Sequence, residues 1–77
     1  MTKTLPPDPH DRNDERAGCA GEALRQFELV TGVDDRYALR DLLCNLIHWC
    51  DRNNFDFEAA LLRARMHYEA ETEEAPS

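Results

Sequence analysis

The most regular alternation of apolar and polar positions runs from Tyr37 to Arg52. Placed at about 100° per residue, Ala38, Trp49, Leu42, Leu46, Leu39, Cys50, Leu43 and Ile47 fall on one half of a helical cylinder. Arg40, Asp51, Cys44, Tyr37, His48, Asp41, Arg52 and Asn45 fall on the other half. An apolar arc of about half a turn is wider than the stripe a surface helix needs against one neighbour. The pattern therefore predicts a central helix that serves two neighbours.

A first helix is predicted from Asn13 or Asp14, either of which can act as N-cap, to about Thr31. Ala17, Cys19, Ala20, Ala23, Leu24, Phe27 and Val30 share one side of it. Gly18 and Gly21 weaken its first half by about 1 kcal/mol each relative to alanine. Gly32 supplies a left-handed residue just past its end, and Val33 can fold back as in a Schellman motif. Asp34 or Asp35 then caps the central helix, which stops at Arg52-Asn53-Asn54.

A third helix is predicted to follow Asp56 as N-cap, with Phe55 before it and Glu58 in its first turn, and to end near Glu71. Ala60, Ala64, Phe57, Tyr68 and Leu61 form a narrow stripe whose alanines would allow close approach to the central helix. Leu62, Met66, Ala59 and Ala70 lie opposite, with Leu62 and Met66 one turn apart. Two apolar faces on one short helix predict a second body covering one of them. The expected fold is all-α: a three-helix domain over 13–71, with the second and third helices forming an antiparallel hairpin and the first packed across them. A homodimer is expected. Residues 1–12 hold three prolines and one large aliphatic, Leu5, and are expected to be disordered or extended. Residues 72–77 are expected to form a disordered acidic tail.

Length and charge narrow the function. A chain of 77 residues is one domain at most, and its stability is marginal without a staple or a partner. Nine Lys/Arg against sixteen Asp/Glu give a formal charge of −7, which argues against direct nucleic-acid binding. The same charge suits a protein partner with a basic surface, including a nucleic-acid-binding protein. No stretch is long and apolar enough for a membrane span, and no secretory signal pattern follows Met1. Cys19, Cys44 and Cys50 show no paired spacing, so a cytoplasmic protein with reduced thiols is expected.

Candidate chemistry is sparse. Cys44 and His48, at i and i+4 on the polar face, could offer two metal ligands beside Asp41 and Asn45. A structural zinc site needs four, and neither His10 nor His67 is placed to complete one, so no metal or other cofactor is expected. A Cys–His nucleophile from the same pair would need a pocket, an orienting group and an oxyanion site, which a flat helix face does not offer. Trp49 is expected in the core in preference to a binding hot spot. Glu69, Glu71, Glu73 and Glu74 read as a solvated tail, with a polyanionic docking surface as the functional alternative.

From about Tyr37 to Glu69 the chain resembles the closing helical pair of all-α nucleoside-triphosphate pyrophosphohydrolases of the MazG type. Asp41-Leu42-Leu43, Leu46, Cys50, the run Phe55-Asp-Phe-Glu-Ala-Ala-Leu-Leu-Arg-Ala64 and Tyr68-Glu69 carry the resemblance. It implies that Asp41 closes an acidic magnesium-binding motif. Ala38 stands where the glutamate partner would be, and the Glu-Glu-x-x-Glu motif of a preceding helix is absent. One carboxylate of four leaves Mg²⁺ short of oxygen ligands. The stretch Leu43–Arg52, with Ala64–Glu71, also resembles small proteins of bacterial plasmids and prophages, the pool from which anti-CRISPR inhibitors are drawn. That resemblance implies a protein that occupies a surface of a larger complex.

The expected function is therefore a non-enzymatic protein-binding module, of the mobile-element-encoded inhibitor type, with Leu62, Met66, Asp41, His48, Asp51 and Glu58 at its interface. A reduced nucleotide pyrophosphohydrolase or its subunit is the competing class, and a structural assembly factor the third.

Overall fold

The computed structural model describes residues 4–74 and contains three helices. They are α1 (Asn13–Thr31), α2 (Asp35–Arg52) and α3 (Phe57–Glu71). The protein is all-α. The expectations for residues 1–3 and 75–77 lie outside the described residues.

Local chemistry sets most of the helix ends. The Asp34 carboxylate accepts the Arg36 N–H at 2.9 Å and opens α2. The Asp56 carboxylate accepts the Ala59 N–H at 3.0 Å and opens α3. Each satisfies a backbone donor that the first turn leaves without a partner. Gly32, at φ 71°, closes α1 with its N–H on the Glu28 carbonyl at 2.7 Å. This is the simple left-handed cap and not the Schellman form expected from Val33. The Val33 N–H goes instead to the Thr31 hydroxyl, at 3.3 Å. Asn54, at φ 61°, turns the chain after α2, and the Phe55 N–H returns to the Cys50 carbonyl at 3.0 Å. Replacing Asp56 with alanine should cost about 1 kcal/mol, read as a lower thermal midpoint with unchanged association. An unchanged midpoint would show that the cap contributes nothing.

The start of α1 differs from expectation. Neither Asn13 nor Asp14 caps it; the residue preceding the helix is Arg12, whose side chain makes no capping bond. The carboxylate of Asp8 accepts the N–H groups of Arg12, at 3.1 Å, and Asn13, at 3.2 Å. A turn in which the Asp11 N–H meets the Asp8 carbonyl brings the carboxylate there. Asn13 is thereby released for a tertiary role: its amide donates to the Glu71 carbonyl at 2.9 Å. Arg16 pairs with the Glu71 carboxylate at 3.1 Å. The start of α1 is thus tied to the end of α3.

Packing is thin. Among the described residues the buried apolar positions are Ala38, at 2% exposure, and Cys50, at 8%. Both belong to α2, which meets α1 more extensively than it meets α3. The chain exposes 7081 Å², whereas a closed monomer of 8.9 kDa exposes about 4,800 Å². Its radius of gyration is 15.0 Å, against about 11–12 Å for a compact chain of this length. Part of the excess area belongs to the extended segment before α1, where Leu5 is exposed. The rest lies on the helices.

Three packing expectations are corrected accordingly. Trp49 is not a core residue: it is 51% exposed and stacks on Phe55 at 5.1 Å between ring centroids. Stacking on the turn residue holds the indole outside the α1–α2 contact. The alanine stripe of α3 does not approach α2 closely, because Ala60 and Ala64 are exposed and Tyr68 is too. The apolar residues of α3 are spread over two sides, so no single face directs it onto α2. On α1 only Leu24 and Phe27 of the expected stripe are partly covered, and Val30 is open to solvent.

Candidate protein-binding surface

Of the six residues expected at an interface, three lie in line on α3. Glu58, Leu62 and Met66 follow one another at i, i+4 and i+8. Leu62 is 62% exposed and Met66 60% exposed. Asp56 caps the helix from which they project, so their register is fixed from its first turn. Glu69, three residues beyond Met66, extends the acidic edge of this row. The result is a small apolar ridge whose edge carries Glu58 and Glu69 with Arg65 between them.

The other three lie on α2. Asp41 and His48 are seven residues apart on its polar side, and Asp51 lies beyond them toward its end. His48 and Asp51 are exposed; Asp41 is half-buried. Asp41 pairs with its neighbour Arg40 at 3.0 Å. The six residues therefore divide between two helices, and among the described residues no hydrogen bond or ion pair joins the two groups.

Asp41 also lines a shallow hollow of about 410 Å³ with Phe27, Thr31, Gly32, Val33, Cys44 and Asn45. It is the one carboxylate in that lining. Ala38, where the glutamate partner of a magnesium motif would stand, is the most buried apolar residue described and points into packing. A ligand at that position would be out of reach of solvent cations. Cys44 and His48 are both exposed on the α2 surface. Among the described residues, no three His, Cys, Asp or Glu side chains lie together as a metal site requires. A second hollow, of about 380 Å³, sits where the start of α1 meets the end of α3, between Leu5, Pro6, Ala17 and Tyr68. Its polar groups, among them Asp8, Asn13, Arg16 and Glu71, are engaged in the cap and tether described above.

On α2, Leu39 is 61% exposed, and Leu43, Leu46 and Ile47 are 39–42% exposed. The width of the arc pointed to a second neighbour for this helix. That neighbour is not α3 at these positions. No helix among the described residues is long and apolar enough to cross a membrane. No family model, curated protein or solved structure matches the chain.

Proposed function

We propose that this chain is a non-enzymatic protein-binding module, working as a homodimer in the cytoplasm, whose partner presents a basic surface. The observation that carries the reading is the exposed pair Leu62 and Met66 with Glu58 and Glu69 beside it on one helix. Apolar anchors give an interface its affinity when they are desolvated at its centre. Flanking charges choose the partner and speed encounter. With a formal charge of −7 over 77 residues, a basic partner is favoured over an acidic one. Proteins that grip nucleic acid carry such surfaces. An inhibitor occupying that surface within a larger complex, of the anti-CRISPR type, fits this chemistry; that refinement draws on the sequence resemblance. Asp41, His48 and Asp51 form a second polar surface on α2 that a large partner can reach.

The test is co-purification of the tagged chain from its native host, with mass spectrometry of what it holds. A basic protein retained at low salt, released as salt rises, and lost with the double substitution Leu62→Glu/Met66→Glu supports the reading. Mg²⁺-dependent nucleotide hydrolysis by clean protein, abolished by Asp41→Asn, would replace it with the enzyme class.

A further inference from the structure

We propose that the α2 face bearing Leu39, Leu43, Leu46 and Ile47 is the seam of an antiparallel homodimer, and that this seam leaves Leu62 and Met66 of α3 free for the other partner. The inference rests on the dimeric reading above and assigns its surface.

The occupant follows from stability. With Ala38 and Cys50 as the buried apolar residues, the three helices cover too little apolar area to hold themselves together. Whatever covers the α2 face must then be present whenever the chain folds. A second copy meets that condition in any cell that makes the protein, and obligate homodimers are the known case of chains without a stable folded monomer. The area agrees. The chain exposes 7081 Å², about 2,300 Å² above a closed monomer of its mass; part of that excess belongs to the extended segment before α1, and a standard interface needs only about 800 Å² per partner.

Charge decides between the two exposed faces. An isologous contact brings each surface against itself, so the surface must tolerate its own charges. Between Leu39 and Ile47 α2 has one acid, Asp41, and it lies on the side of the helix away from this face, although the chain has sixteen Asp and Glu. The α3 ridge carries Glu58, Arg65 and Glu69 along one edge, and pairing it with itself would gather four carboxylates against two guanidinium groups. The α2 face is thus fit for a copy, and the α3 ridge for a basic partner.

Spacing and charge also set the direction. Leu39, Leu43 and Leu46 step by four and three residues, the alternation that keeps a seam facing a second helix, and the seam ends there because Cys50, next in that series, is buried within the chain. Arg36 and Arg40 border the start of the face on its Ile47 side, both within cation–π range of the Tyr37 ring, at 6.0 and 4.9 Å. Arg40 is also paired to Asp41 at 3.0 Å, and Asp35 stands at the start on the Leu46 side. Asp51 borders its end. Antiparallel helices bring the arginines of one copy toward Asp51 of the other; parallel helices would set arginine against arginine.

Sedimentation equilibrium of the full chain from about 1 to about 100 µM reads this directly. Wild type should be dimeric, Leu43→Glu should raise the dissociation constant at least about 100-fold, and Leu62→Glu should leave it within about twofold. Should Leu43→Glu fail to fold, the exposed charges still report. Arg40→Glu and Asp51→Arg should each weaken the dimer about 3–10-fold, and the two together should recover most of the loss. A dimer indifferent to Leu43→Glu but lost with Leu62→Glu would overturn the seam and leave the dimeric reading standing. A double reversal no better than the single ones would overturn the antiparallel direction. A folded wild-type monomer at about 100 µM would overturn both the seam and the dimer.

Discussion

Replacing Ala38 with aspartate is expected to abolish the folded state at micromolar concentration. Ala38 is the most buried apolar residue, at 2% exposure, on the helix that holds both buried positions. An aspartate there would place a carboxylate out of water. Burying an unpaired charge costs at least about 3 kcal/mol, and a chain this small has little more in reserve. Asp34, Asp35 and Asp41, each within one turn, would add repulsion. Circular dichroism should show most helical signal lost, while Ala38→Ser, uncharged and near in size, should cost only about 1 kcal/mol. Retention of helix and thermal midpoint by the aspartate variant would mean that α1 and α2 do not meet at Ala38.

The second large effect is expected on binding. Substituting Leu62 and Met66 together by glutamate should weaken capture of the basic partner at least about 100-fold, while helix content and dimerisation stay as in wild type. Both side chains project from α3 into solvent, at 62% and 60% exposure, so their loss removes no packing within the chain. Truncation at the centre of an interface commonly costs about 2 kcal/mol or more per anchor. The two added carboxylates would by themselves favour a basic partner. A loss of binding would therefore identify apolar contact, and not charge, as the source of affinity. Titration of the purified partner by calorimetry, wild type against the double variant, gives the number. Undiminished or tighter binding would place the contact elsewhere, with the acidic surface alone as the attraction.

The helices were legible because their boundaries are written locally. Asp34, Asp56 and Gly32 each act within a few residues of where they stand, and a sequence shows such short-range chemistry directly. The cap of α1 was not legible, because Asp8 reaches the helix only through the turn at Asp11. Nor was the tether to α3 foreseeable. Asn13 donates to the backbone carbonyl of Glu71, and a carbonyl looks the same at every residue. Helical spacing placed Leu62 and Met66 together on one side of α3, opposite Phe57, Leu61 and Tyr68, and left open which side would stay exposed. What spacing left open was which part of the α2 arc would be covered. The arc has room for two neighbours, and choosing between Ala38 and Leu39 required knowing where α1 lies. Trp49 went to the surface because Phe55, on the turn, offered its ring a partner that spacing within α2 cannot reveal.

Thermal unfolding at two protein concentrations probes most directly whether the three helices fold by themselves or by covering one another's exposed apolar surface across two copies. For a dimer of this chain length the midpoint should rise about 4–5 °C for each tenfold increase in concentration, with loss of helix and loss of association coinciding. A cooperative transition whose midpoint does not move between about 1 and about 100 µM would contradict it, because the single chain would then be stable with its leucines in water.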